Sequence, residues 1–277
     1  MLRSVRLGFV LRRGLLFLLV IALVGVLIAV GRACRSRSRH LGPPLVYSPP
    51  VLAGQGLGYG CSGGVYAKTK DDAIVLTTTG HCLTEGMTAL RADGVPIGKA
   101  SAWSNWSTCD KPGKNRCTSS DMAYITLLPE VIAWGHLDQI DMGAGGYVTV
   151  APGTRALACP DIHEGDEVRF NGRSIYRTGK VVSQEAYNFD GDGTFFPCIV
   201  ISDVQAGGGD SGGVVLVRGL PAGVGARVFG SDQWMGFTPL GPGLEELGLT
   251  LCDSPNCGLT PAAVQSPGAE SGTTSQP

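Results

Sequence analysis

Apolar positions along this chain fall into two kinds of run. One is long and uncharged, from Gly14 to Gly31, opening with Leu15-Leu16-Phe17-Leu18-Leu19-Val20-Ile21 and reaching Val30, with arginines on both sides. Downstream the runs are short, as in Ala73-Ile74-Val75 or Ala123-Tyr124-Ile125, and glycine-rich turns separate them. That rhythm predicts short strands joined by many turns, and 42 glycines with 7% aromatic residues agree with it. No heptad or helical stripe interrupts the pattern until residues 241–250. There Leu244, Leu247 and Leu249 fall on or near one face and Gly248 lies close to the end, predicting a short C-terminal helix. The fold class expected is therefore all-β.

The long run predicts an N-terminal hydrophobic membrane helix within residues 1–31. A span needs about 20 apolar residues, and this run is at the short end. Two readings stay open: a signal peptide cut near Ala29-Val30-Gly31 or Ala33, or an uncleaved anchor, which Arg32 and Arg35 close behind the run favour. Either one exports the downstream domain, leaving it membrane-anchored and extracytoplasmic or secreted. Residues 32–56, with Pro43-Pro44 and Pro49-Pro50, read as an extended linker. From Gly258 the tail is rich in Ser, Thr, Pro and Gly and is expected to be disordered.

Charge narrows the partners. Residues 1–40 hold eight arginines and no acids, leaving 14 of the 22 basic residues against 23 acidic ones in the remainder, a balance of −9. A domain of that sign has no electrostatic footprint for nucleic acid.

Three local contexts carry chemistry. His81 ends the run Leu76-Thr77-Thr78-Thr79-Gly80-His81-Cys82, where an apolar strand gives out and a base can stand at a rim. Asp121 opens Asp121-Met122-Ala123-Tyr124-Ile125, where burial would give a carboxylate one partner to hold. Ser211 sits in Gly207-Gly208-Gly209-Asp210-Ser211-Gly212-Gly213, whose glycines let the backbone aim its N–H groups at one point. A serine hydroxyl needs a neighbouring base at neutral pH, and histidine is the side chain that titrates there unaided. Ser211 is thus the expected nucleophile, His81 its base, Asp121 the group that orients the imidazole, and the N–H groups of Gly209 and Ser211 the oxyanion hole.

Thr79-Gly80-His81-Cys82 and Gly209-Asp210-Ser211-Gly212-Gly213 resemble the His and Ser motifs of chymotrypsin-like, or trypsin-like, serine proteases. Gly60-Cys61-Ser62-Gly63-Gly64, Glu164-Gly165-Asp166-Glu167-Val168 through Gly172, Gly179-Lys180-Val181, and Phe237-Thr238-Pro239-Leu240 leading into Leu244-Glu245-Glu246-Leu247-Gly248-Leu249 resemble the bacterial streptogrisin and alpha-lytic branch. The resemblance covers roughly residues 57–251. It implies two six-stranded antiparallel β-barrels, about 57–128 and 146–238, with the helix 241–250 behind them and a cysteine-containing turn and tail over 252–277. It also implies a monomer acting on a protein or peptide substrate, with no cofactor and no metal.

An α/β-hydrolase is excluded by order, because its triad histidine comes after the nucleophile and none of His40, His81, His136 and His163 lies beyond Ser211. The alternative from another class is a catalytically inactive module of the same fold that binds a protein or peptide. Asn188-Phe189-Asp190-Gly191-Asp192-Gly193 imitates a calcium loop, but Ile199 stands where a bidentate Glu is required. Asn105-Trp106-Ser107 is a glycosylation sequon, and His136 and His163 lie in polar surroundings expected to be solvated.

Nine cysteines suit an oxidising compartment. The resemblance pairs Cys61 with Cys82. Local spacing then suggests Cys109 with Cys117 and Cys252 with Cys257, leaving Cys159 with Cys198 by elimination and Cys34 alone near the membrane segment. Zinc would need Cys and His clustered at short spacings, which the chain lacks.

Departures from the family pattern shape the remaining expectations. Six residues before Ser211 stands Gln205, an uncharged amide, so the specificity pocket expected from Gln205, Ala206 and Gly230 offers no carboxylate to a basic side chain. Gly207 and Gly208 leave the adjacent wall low. The substrate-pairing strand is expected near Phe229-Gly230-Ser231. Asp210, if buried, needs a cation, and Arg169 is near the position where the branch supplies one.

Overall fold

The computed structural model describes residues 50–103, 116–117, 120–173, 175–189 and 194–260. The membrane helix expected before residue 31, the Cys109 half of the expected Cys109–Cys117 pair and the tail beyond residue 260 lie outside these. Among the described residues no helix is long and apolar enough to cross a membrane.

The N-terminal half contains β1 (Gly56–Leu57), β2 (Cys61–Ser62), β3 (Tyr66–Lys68), β4 (Ile74–Thr78), β5 (Thr88–Leu90), β6 (Pro96–Trp103), β7 (Arg116–Cys117) and β8 (Ala123–Leu127). A hairpin of β9 (Gln139–Asp141) and β10 (Tyr147–Thr149) leads to the second half. That half contains β11 (Glu167–Gly172), β12 (Ile175–Phe189), β13 (Thr194–Gln205), β14 (Val214–Val217), β15 (Leu220–Phe229) and β16 (Trp234–Pro239). Helix α1 (Leu240–Leu247) and β17 (Thr250–Leu251) come last. The described residues are all-β apart from α1 and single 3-10 turns.

The two halves close differently. In the second, β12 pairs with both β11 and β13, so the order β12-β11-β14-β15-β16-β13 returns to β12 and forms a closed six-stranded barrel. Closure leaves those strands no free edge. β7 lies outside the ring, pairing with β13 in parallel. The first half runs β17-β3-β4-β8-β6-β5, six strands in an open order, with β17 arriving from beyond the second barrel.

Inward-facing residues explain both cores. In the second barrel Phe170, Val200, Val215, Met235 and Phe237 are fully buried, each stabilising by roughly 1.5–3 kcal/mol relative to exposure. In the first half Tyr66, Leu76, Ile97, Met122 and Ile125 pack together. Tyr66 carries a hydroxyl into that core and accepts the Leu52 N–H at 2.6 Å, and burial drives its pKa upward. The expected C-terminal helix begins one residue earlier than 241 and stops at Leu247. Gly248 adopts φ +64, which turns the chain back so that residues 250–251 become strand rather than helix.

Candidate functional site

β4 shows why the histidine stands where it does. All five of its residues are buried, and its threonines satisfy their hydroxyls internally. Thr77 Oγ1 accepts from Val65 N–H at 2.8 Å, and Thr78 Oγ1 donates to Ser62 O at 2.8 Å. β4 runs antiparallel to β8, with Thr78 opposite Ala123. The stretch past the end of β4 therefore meets the stretch before the start of β8. His81, three residues beyond β4 in the 3-10 turn Gly80–Cys82, and Asp121, two residues before β8, lie in those stretches. Their backbones are joined by Gly80 N–H to Asp121 O at 3.2 Å.

The side chains complete the contact. His81 Nδ1 lies 2.6 Å from Asp121 Oδ2, and the backbone N–H of His81 donates to Asp121 Oδ1 at 3.2 Å. His81 Nε2 lies 2.9 Å from Ser211 Oγ. Asp121 is 2% exposed while the His81 side chain is 35% exposed, so the carboxylate is sealed behind an imidazole that opens to the cleft. Cys61 and Cys82 form a disulfide with Cα atoms 6.2 Å apart, tying β2 to the histidine turn. Disulfides also join Cys159 to Cys198 and Cys252 to Cys257.

Ser211 projects from the turn between β13 and β14. Ser62 N–H donates to Ser211 O at 2.7 Å, so the first half of the molecule grips the backbone of Ser211 itself. Gly212 (φ +85) must be glycine twice over. The conformation is strained for other residues, and a Cβ there would come within 2.2 Å of Thr78 Oγ1 and 2.3 Å of Ser62 O. Gly209 adopts φ +93.

Asp210, 4% exposed, takes a different cation from the one expected. Arg177 Nη1 lies 3.1 Å from Asp210 Oδ2, while Arg169 Nε donates to Glu167 Oε1 at 2.7 Å on the outside of the barrel. Strand alternation gives the reason. Phe170 faces the core, so its neighbour Arg169 faces solvent; the residue paired across from Phe170 on β12 is Arg177, which shares the inward face. Its guanidinium stacks over the Phe170 ring at 5.8 Å. Asp210 Oδ2 also accepts Gly207 N–H at 2.9 Å.

Beside the histidine and serine lies a cavity of about 220 Å³. Ala206, as expected, is in its lining, with Gly207, Gly208, Val228, Met235 and Phe170. Gln205 and Gly230 are not. Gln205 alternates with buried Val204 and Ala206 and so points to solvent at the end of β13. Gly230 (φ +66) and Ser231 form the turn after β15, and the cavity wall is the earlier stretch Gly225–Val228. Phe229 packs edge-on against Tyr187, with ring centroids 4.9 Å apart. Of the residues expected to pair with substrate, Phe229 ends β15 and Gly230 and Ser231 lie in the turn beyond it.

One neighbour of the triad has no signal in the sequence. Arg227 Nη2 lies 3.7 Å from Asp121 Oδ2 and its side chain borders the same cavity. Nothing near residue 227 announces it, because the contact depends on the bulge between Gly225 and Arg227. Among the described residues no group of three or more His, Cys, Asp or Glu is placed to hold a metal ion.

The fold superposes on a set of solved bacterial proteases. Cellulomonas bogoriensis chymotrypsin superposes with a TM-score of 0.54 at 22% identity, over 74% of this chain and 99% of that one. The fold is chymotrypsin-like. Thermobifida fusca protease A gives 0.55 at 22%, covering 73% and 97%. An alpha-lytic protease homolog gives 0.51 at 20%, covering 72% and 98%. No family model matches the sequence, and no curated protein matches it.

Proposed function

We propose that the protein is a serine endopeptidase. The hydrogen-bonded chain Asp121–His81–Ser211 is the observation that carries this reading. In it His81 Nε2 takes the proton of Ser211 Oγ as the oxygen attacks the peptide carbonyl, and Asp121, bonded to Nδ1, fixes the tautomer and stabilises the imidazolium. The tetrahedral oxyanion meets the N–H groups of Gly209 and Ser211, neither of which donates to another described residue. His81 then delivers its proton to the leaving amine, and the acyl-enzyme is hydrolysed by water along the same path in reverse.

The cavity beside Ser211 takes the side chain before the scissile bond. Apart from His81, Ser211 and Arg227 its walls are apolar or backbone, and its one carboxylate, Asp210, is already held by Arg177 and Gly207. A lysine or arginine would find no counter-charge there and would meet Arg227 on the wall, so a neutral side chain is favoured. A Cβ on Gly207 or Gly208 would meet nothing within 4 Å, which leaves that rim open. The three disulfides among the described residues suit an exported domain, carried or anchored by the segment before residue 31.

A fluorophosphonate reports on this directly. Labelling of the folded protein that Ser211→Ala abolishes is the expected outcome, with cleavage of a peptide library after neutral residues. A folded protein that neither labels nor cleaves is instead a binding module, and the proposal is wrong.

A further inference from the structure

Three successive glycines, Gly207 to Gly209, make the turn before Ser211 free to rotate its peptides. The Gly208–Gly209 peptide matters most, because it carries the Gly209 N–H. In a planar trans peptide the C=O and the next N–H point to opposite edges, so whatever holds Gly208 O decides where the Gly209 N–H points. Arg173 holds it. Its Nη1 donates to Gly208 O at 2.8 Å. Its aliphatic stem lies over Gly209, since a Cβ there would come within 2.4 Å of Arg173 Cδ.

The backbone of Arg173 is tied to the same turn. Its N–H donates to Ser62 Oγ at 2.7 Å, and Ser62 Oγ donates to Gly209 O at 2.9 Å. Both carbonyls of the Gly208–Gly209 stretch are thus engaged, Gly208 O by Arg173 of the β11–β12 turn and Gly209 O by Ser62 of β2, which Arg173 N–H holds in turn. Arg173 itself sits at φ +49, a left-handed conformation in which a residue with a side chain is strained. Such outliers persist where the surroundings hold them, and they gather at functional sites.

We propose that Arg173 is a positioning residue whose guanidinium fixes the Gly208–Gly209 peptide with the Gly209 N–H turned towards the oxyanion of the acyl group on Ser211. The assignment rests on the protease reading above and names what keeps its oxyanion site formed in a glycine turn. A hydrogen bond from a charged donor is worth roughly tenfold or more in a conformational equilibrium, and loss of one oxyanion donor costs about 10²–10³ in kcat.

The test combines kinetics with crystal structures of Arg173→Ala and Arg173→Lys. For Arg173→Ala, kcat on the best library peptide falls about 10- to 100-fold while KM stays within about threefold, and the Gly208 carbonyl is rotated or split between orientations. Arg173→Lys, with one donor able to reach the carbonyl, recovers part of the rate. Arg173→Gly, which removes the side chain and relieves the left-handed backbone, replaces Arg173→Ala if that variant folds poorly. Retention of the original peptide orientation once the side chain is gone overturns the proposal whatever the rate. So does an unchanged kcat with the peptide turned. A turned peptide in a variant of a protein that hydrolyses nothing even unaltered supports the clamp and removes the protease reading instead.

Discussion

The first half of the molecule supplies the histidine and aspartate from an open sheet, and the second supplies the serine from a closed barrel. Each half secures its contribution by different means. The base side relies on buried strand backbone, threonine hydroxyls and the Cys61–Cys82 disulfide. The nucleophile side relies on glycine conformations, the Arg177–Asp210 pair and hydrogen bonds reaching across from Ser62. A rigid base can be built from ordinary strand geometry. A serine carried on a run of glycines cannot, and needs a turn that specific contacts hold.

Substitutions that separate these two strategies sharpen the contrast. The largest effect is expected for Gly212→Ala, which forces a left-handed alanine into Thr78 Oγ1 and Ser62 O; a loss of about 4 kcal/mol or more in urea unfolding is the expected reading, and a loss under about 1 would mean the seam is loose. Next comes Arg177→Ala, which leaves buried Asp210 without its cation and costs about 3 kcal/mol. Replacing Cys61 and Cys82 together by alanine costs about 2–3 kcal/mol by the chain-entropy account and lowers kcat, because it frees the loop that carries His81; thermal unfolding with parallel kinetics measures both. Arg169→Ala, removing only an exposed pair with Glu167, changes stability by less than about 0.5 kcal/mol. Equal effects from Arg177→Ala and Arg169→Ala would refute the assignment of Asp210's partner.

How far the letters reach is clearest at Asp210. The motif around Ser211 announces a buried acid in need of a cation, and Arg169 is adjacent in sequence to the inward Phe170. What decides the partner is hairpin register, since Arg177 lies opposite Phe170 and so takes its face. Register is set by a turn whose left-handed conformation falls on Arg173 rather than on the neighbouring Gly172. The pocket departs from expectation for a related reason. Counting back from Ser211 reaches Gln205, but the alternation that buries Val204 and Ala206 turns Gln205 outward. By contrast, His81 and Asp121 are legible because each stands at a strand end, where an apolar run stops abruptly, and an antiparallel pair joins such ends without further information. Arg227 and Arg173 are illegible as site residues. Both are arginines in strand or turn contexts indistinguishable from the solvated ones, and tertiary proximity alone brings them to the triad and the oxyanion turn.

β17 pairs Thr250 with Lys68 and Leu251 with Ala67. The sheet that bears the histidine is therefore finished by residues 250–251, after the entire serine-bearing half has been made. Topologically the closed barrel is an insertion within the open sheet. No fragment ending before residue 251 possesses a complete N-terminal sheet, so during synthesis a nascent chain cannot finish the sheet that bears His81 until that residue has been added.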